Sequence, residues 1–121
     1  MTAPDDFAPY EPAALPAVVV RYLGAQADPA ERERLAVVFA SDARVVDDNV
    51  IYEGADAIHG WLTTVASEYT YTTTFIGQQR VADDRWVILA RLEGNFPGGV
   101  VDLRYRFVVA GDLIQDLVIA P

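Results

Sequence analysis

Two alternating runs, Trp86 to Asn95 and Val100 to Val109, flank Pro97-Gly98-Gly99, and this arrangement constrains the chain more than any other feature. Proline presets the φ that a tight reversal needs at its first corner, and glycine tolerates the positive φ of the next, so the two runs form a β-hairpin. With Asn95 opposite Val100, Leu92 meets Leu103, Ala90 meets Tyr105, Ile88 meets Phe107 and Trp86 meets Val109. That face is apolar or aromatic. Val87, Leu89, Arg91 and Glu93 then oppose Val108, Arg106, Arg104 and Asp102 on the other face. A slip of one residue would set Leu92 against Arg104 and mix the faces, which disfavours it.

The strands on either side extend the pattern. Tyr71, Thr73, Phe75, Gly77, Gln79 and Val81 alternate with a more polar set, and a turn at Asp83-Asp84 brings these odd positions to the apolar face, with Val81 opposite Trp86. A turn at Ala110-Gly111-Asp112 adds Leu113, Gln115, Leu117 and Ile119. Upstream, Leu15, Val18, Val19 and Tyr22 follow helical spacing, with Pro16 in the first turn. Asp28-Pro29-Ala30-Glu31 is a helix start, followed by a stripe of Leu35, Val38 and Phe39, with Glu31 to Arg34 facing water. Ala43 to Val46 and Val50 to Tyr52 make a short strand pair. Ile58, Trp61, Leu62 and Val65 give a third helix its apolar stripe, with His59 off it at the surface. The fold class is therefore α+β: three N-terminal helices packed on one face of an antiparallel sheet, a four-strand C-terminal meander plus the short pair. Residues 1–14, rich in proline and aspartate, read as a flexible N-terminal tail from which Phe7 and Tyr10 can drape over a single domain at 15–121.

Composition excludes several functions. The chain has no cysteine and one histidine, so no disulfide, thiolate metal site or histidine cluster is expected. A net charge of −9 opposes nucleic acid and anionic membranes. The apolar run Ala13 to Val20 is far shorter than the roughly 18 residues of a membrane span, and Asp5 and Asp6 do not suit a signal peptide. A cytoplasmic protein is expected. No cofactor is expected either, because Pro97-Gly98-Gly99 joins two strands rather than opening a helix on a phosphate.

Arg21-Tyr22 in the first helix, Phe39-Ala40-Ser41-Asp42-Ala43 leading into Val45-Val46-Asp47, Gly54 before Ala57-Ile58, and Leu103 to Phe107 in the meander occur in an order that resembles the nuclear transport factor 2-like superfamily, in particular its SnoaL-like and ketosteroid isomerase-like members. The resemblance covers Leu15 to Ile119. It implies a curved sheet closed by helices into a cone with an internal pocket, and dimerisation through the outer sheet face. It does not fix an activity, since such folds host isomerases, cyclases, hydrolases and non-catalytic binders. On this resemblance Tyr22 falls at the oxyanion-hole tyrosine and Asp47 at the general base of a ketosteroid isomerase-like enzyme. A carboxylate would remove a proton beside a carbonyl while a phenol steadies the enolate oxygen. The third element, a protonated acid, would fall near Leu103, which departs from the pattern; Asp102 beside it faces the other way.

The candidate ligand is thus a small hydrophobic, carbonyl-bearing molecule. Tyr71, Gln79 and Tyr105 are the candidate pocket lining, with Trp61 and Phe107 beside them, because a few polar groups among aromatics suit a small-molecule site. Trp61 and Trp86 also read as core. Competing readings are a non-catalytic ligand binder or dimerising module, and an epoxide hydrolase-like enzyme using Arg91, Glu93 and Asp116. The hairpin register places Arg91 and Glu93 away from the helices, against the last of these. Ile76, Val87, Leu89, Val108, Ile114 and Val118 lie among the charges of the outer face, and such an apolar group predicts a two-fold, sheet-to-sheet homodimer.

Overall fold

The hairpin is present with both faces as expected, but its register lies two residues away: Leu92 pairs with Val101, Ala90 with Leu103, Ile88 with Tyr105 and Trp86 with Phe107. In the computed structural model, which describes residues 6–65 and 68–121 apart from the Val65 side chain, Asn95 explains the shift. Its backbone N–H donates to the Thr70 carbonyl at 3.2 Å, and its side-chain oxygen accepts from the Thr70 N–H at 2.9 Å. Asn95 is thereby drawn towards the neighbouring strand and cannot pair with Val100. The reversal itself runs from Phe96 to Gly99, closed by a 3.0 Å hydrogen bond from the Gly99 N–H to the Phe96 carbonyl. Gly98 carries φ 88° at the corner that needs it. A shift of two preserves the faces because side chains alternate with a period of two.

Seven strands form one mixed sheet in the order β1-β4-β5-β6-β7-β2-β3. They are β1 (Ala8–Pro9), β2 (Phe39–Asp47), β3 (Val50–Glu53), β4 (Tyr71–Ala82), β5 (Arg85–Gly94), β6 (Val100–Ala110) and β7 (Leu113–Ala120). The meander is antiparallel, but β2 joins β7 in parallel, so the short pair continues the same sheet. The helices α1 (Ala17–Ala25), α2 (Pro29–Arg32) and α3 (Ala55–Gly60) cover one face. A tight helical stretch extends α2 over Glu33–Val38 and a wide one extends α3 over Trp61–Val65. Asp28 caps α2 by accepting from the Ala30 N–H at 3.0 Å, with Pro29 in the first turn, as its sequence requires.

Bulges account for the residues that changed face. One between Phe75 and Gly77 leaves Phe75 opposite Ala90 but sets Gly77 opposite Leu89 and Gln79 opposite Val87, so Gln79 lies on the outer face. Arg80, not Val81, pairs with Trp86. A second bulge, at Gln115, turns Ile114 inwards opposite Val109, and Ile114 is fully buried in the core rather than on the outer face. Gln115 fills the irregularity by donating to the Asp42 side chain at 3.1 Å. Such bulges bend strands and increase their twist, which curves the sheet around the helices.

Two other expectations change. Phe39 begins β2 instead of ending a helix. Arg32 is 1% exposed rather than facing water with Glu31 and Arg34. In the proline-rich N-terminal stretch, Phe7 to Tyr10 run along the edge of the sheet; Met1–Asp5 fall outside the described residues. Ala8 and Pro9 pair with Gln78 and Gly77, and the chain crosses the edge there. Phe7 consequently packs on Val87 and Leu89 of the outer face, with Ile76 beside them, while Tyr10 stacks obliquely on Phe75 of the inner face at 4.7 Å. The main core lies between helices and sheet, built on Val19, Leu23, Leu35, Ile58, Leu62, Ile88 and Leu117. Among the described residues no helix is long and apolar enough to cross a membrane.

Gly94 fixes how closely β4 and β5 approach beside the hairpin turn. It pairs with Tyr71, and a Cβ there would run into the Thr70 carbonyl and come within 2.7 Å of the Tyr71 Cβ. Backbone on both sides cannot yield cheaply. Gly94→Ala is therefore expected to destabilise the fold by about 1–3 kcal/mol, the usual cost of overpacking. Denaturant unfolding checks this, and an unchanged midpoint would contradict the close approach.

Candidate functional site

Tyr22 sits in the middle of α1 on the face turned to the sheet, where helical spacing puts it in line with Val19 and Leu23. It is 2% exposed and surrounded by rings. Trp61 lies parallel to it at 6.5 Å, while Phe107 at 5.8 Å and Phe39 at 6.0 Å present edges. Tyr105 is tilted against it at 6.4 Å. These contacts hold the phenol in one orientation, since edge and offset arrangements are the favoured geometries of aromatic pairs.

Above this floor opens a cavity of about 330 Å³. Tyr22 and Gln26 of α1, Arg32 of α2, Asp47 and Asp48 at the end of β2, and Trp61 form the helical side. Tyr71, Leu92, Val101, Leu103, Tyr105 and Ile119 form the sheet side, with Glu68, Tyr69 and Phe96 as further lining. Phe96 belongs to the hairpin turn and meets Tyr69 edge-on at 6.0 Å. The same turn that defines the hairpin thus contributes to the cavity wall.

Asp47 reaches the cavity because β2 ends there, in a two-residue turn at Asp48-Asn49, both with positive φ. Aspartate and asparagine tolerate that conformation better than most residues. The Trp61 indole N–H donates to Asp47 Oδ2 at 3.0 Å. Burial pushes the Asp47 carboxyl above its ordinary value and the Asp48 charge adds to this, while the Trp61 hydrogen bond works in the opposite direction. Burial likewise raises the Tyr22, Tyr71 and Tyr105 phenols, and the Asp47 charge contributes in each case. All three are therefore proton donors at neutral pH.

The three phenols differ in what they bond. The Tyr71 hydroxyl donates to Gln26, 2.6 Å from its side-chain oxygen and 3.1 Å from its carbonyl. The Gln26 amide in turn donates to Thr73 Oγ1 at 2.9 Å, which locks the group. Among the described residues, no hydrogen bond engages the Tyr22 or Tyr105 hydroxyl, and both side chains line the cavity. These two donors are the ones open to a ligand.

Of the residues expected from sequence, the structure brings together Asp47, Tyr22, Tyr71, Tyr105 and Trp61. Phe107 lies beneath Tyr22 as floor and is not among the residues lining the cavity. Gln79 is not part of it: the β4 bulge turns it outwards, where its amide donates to the Asp6 carbonyl at 2.9 Å. Leu103 does line the cavity, so no acid stands at that position, and Asp102 forms a two-pronged ion pair with Arg91 at 2.7 and 3.0 Å on the outer face. Asp116 pairs with Arg44 at 2.9 Å on that face too. The arginine and carboxylates of the hydrolase reading are therefore kept away from the cavity. Gln26 and Arg32 were not legible as site residues. Gln26 reads as a helix end, and Arg32 stands in an alternating charged run that resembles a solvated surface.

A larger groove, about 590 Å³, crosses the outer face and is lined by Arg44, Arg85, Arg104, Arg106, Val108 and Val118 among others. Its charged walls are mostly exposed, whereas the inner cavity joins a desolvated carboxylate to buried phenols. Perturbed groups converging in a cleft favour the smaller space as the functional site.

No protein-family model matches the sequence, nor does any curated protein. Solved structures do match. A Sinorhizobium meliloti protein provisionally named as a polyketide cyclase superposes with a TM-score of 0.79 at 28% identity, over 92% of this chain and 100% of its own. A Catenulispora acidiphila protein with a ketosteroid isomerase-like fold, in complex with trimethylamine, gives 0.75 at 21% identity over 89% and 87%. A Mycobacterium tuberculosis protein in complex with estradiol-17beta-hemisuccinate gives 0.68 at 15% identity over 88% and 95%. The chain thus has the nuclear transport factor 2-like fold, in the form shared by SnoaL-like and ketosteroid isomerase-like proteins.

A carboxyl raised in the folded state binds its proton more tightly there than in the unfolded chain. Its ionisation costs stability as pH climbs from the ordinary aspartate value of 3.8 through the raised one. Asp47→Asn keeps an acceptor for Trp61 and removes this cost. The variant is expected to melt above the wild type at pH 7, with the difference closing as pH falls below about 4. Melting curves across that range check it; a gap that widens towards acid would reverse the assignment.

Proposed function

We propose that the cavity binds a small carbonyl-bearing molecule and moves a proton beside its carbonyl, with Asp47 as base and Tyr22 as hydrogen-bond donor. The observation that carries this reading is the Asp47 carboxylate, raised by burial and oriented by Trp61, whose charge acts on phenols opening into the same cavity. Asp47 would take the proton as a positioned base, a role typically worth 10²–10⁴-fold. The Tyr22 hydroxyl would steady the enolate oxygen as charge develops. Tyr105, two residues beyond Leu103 on the same face, supplies a second phenol where the family pattern has an acid. Return of the proton to another carbon gives isomerisation, and attack of the enolate carbon on a second carbonyl gives ring closure. The likeness to a protein named as a polyketide cyclase supports that class of reaction. The volume lies at the low end of the roughly 300–1,000 Å³ of ligand pockets, which suits one or two rings.

Exchange of α-protons for deuterium in a small aryl ketone, followed by NMR, tests the chemistry. Asp47→Asn is expected to slow exchange by about 100-fold or more, and Tyr22→Phe and Tyr105→Phe by about 100-fold each. Leu103 favours a second reading, a binder without chemistry. In that case Asp47→Asn alters affinity while exchange stays at the uncatalysed rate in every form.

The proposal extends to a homodimer through the outer face. Phe7 already covers Val87 and Leu89, so the open part is smaller than the sequence suggests. Val108 and Val118 still lie there beside Arg106, and a two-fold contact would bring Glu93 and Asp102 of one copy towards Arg104 and Arg106 of the other. Light scattering at micromolar concentration is expected to give twice the chain mass of 13.3 kDa; a monomer would remove the dimer without touching the cavity.

A further inference from the structure

Arg32 is the one cation among the residues lining the inner cavity, and it is 1% exposed. Its position follows from a short helix. Asp28 and Pro29 start α2 so that Arg32, one turn on, is buried and lines the cavity, while Glu31 and Arg34 remain exposed. Its positive charge acts on the Tyr22 and Tyr71 phenols, opposing the effect of burial on both. The carboxylates of the wall are placed differently. Asp48 and Glu68 are exposed, where water weakens their fields, and Asp47 is only half-buried. Arg32 therefore carries the least screened charge of the cavity. It has an interaction within the fold, and its guanidinium presents five N–H donors in a planar, rigid fork of the geometry that a carboxylate fits.

We infer that Arg32 makes the cavity selective for a carbonyl compound that also carries a carboxylate, docked with the carboxylate towards Arg32 and the acidic C–H towards Asp47. A carboxylate is the group that a planar fork engages best. Repulsion from Asp47 would drive the anion to the Arg32 end, so the two charges orient the ligand between them. The neutral ester of the same molecule keeps the shape and the carbonyl but loses this contact. This inference rests on the proposed carbonyl-binding reading and adds the chemical class of the ligand.

The test uses the full chain with 4-oxo-4-phenylbutanoate and its methyl ester, a one-ring ketone pair differing only in charge, measured by calorimetry and by α-proton exchange. The acid is expected to bind about 10-fold or more tighter than the ester, the usual worth of a hydrogen bond to a charged group. Arg32→Gln should weaken acid binding by that factor and change ester binding less than about 3-fold, and Arg32→Lys should keep part of the preference. Should the Gln variant fail to fold, the acid-to-ester ratio of the wild type and of Arg32→Lys decides. Equal binding of acid and ester, or an acid preference that survives Arg32→Gln, overturns the inference. If the ester binds as well as the acid and exchanges its proton in an Asp47-dependent way, the role of Arg32 falls and the proton-transfer reading stands. Binding of neither overturns both.

Discussion

The parallel pairing of β2 with β7 is the constraint on which the rest depends. Every other neighbouring pair in the sheet is antiparallel, and those within the meander are joined by short turns. β2 comes from the N-terminal half and must be brought to the far edge of the meander, with α3 and β4 to β6 between them in the chain. The register that results sets Val45 against Leu117 and Asp47 against Ile119. Val45 and Leu117 are both fully buried. A side chain from the first half and one from the last strand therefore meet at the cavity, and Asp47 lines it because of this contact. Arg44 and Asp116 lie opposite each other in the same register and pair on the outer face. Both side chains are partly exposed, where water screens an ion pair, so the pairing is held by the buried residues beneath it.

The aromatic floor explains why the cavity can keep polar groups aimed at empty hydrophobic space. Tyr22 cannot swing away from Trp61, Phe39 and Phe107 without losing packed area on all sides. Trp61 meanwhile spends its one N–H on Asp47. The wide helical turn that begins at Trp61 matters here, because such turns depart from regular helix geometry and are frequent at functional sites. Holding a carboxylate and phenols in a desolvated space costs stability, and rigid packing around them is what allows the arrangement to persist.

Much of this was legible because alternation in a strand has a period of two. The apolar and charged faces of β5 and β6 survive a register error of two residues, so Arg91 and Asp102 were correctly turned away from the helices. Bulges remove that protection. An extra residue at Ile76 moves Gln79 across the sheet, and another at Gln115 moves Ile114 into the core. Nothing in the alternating pattern marks where such a residue falls, since a bulge is fixed by how neighbouring strands must bend together. Arg32 failed for a different reason. The run Glu31 to Arg34 has the composition of a solvated helix face, but the helix is only four residues long and continues with a tighter pitch, so the expected face does not form. The Asp47 and Tyr22 positions came from resemblance rather than from spacing, and the geometry adds the oriented partner, Trp61, that spacing could not supply.

The two faces of the sheet divide the charged residues by role. On the outer face Arg91 and Arg44 are matched by Asp102 and Asp116, partners on adjacent strands at directly opposed positions. Each pair neutralises itself, and none is available to a reacting group. On the inner face Arg32 and Asp47 come from different elements, and each reaches the Tyr22 and Tyr71 phenols through space. Both line the same cavity, and in a water-poor space their charges act on whatever lies within it.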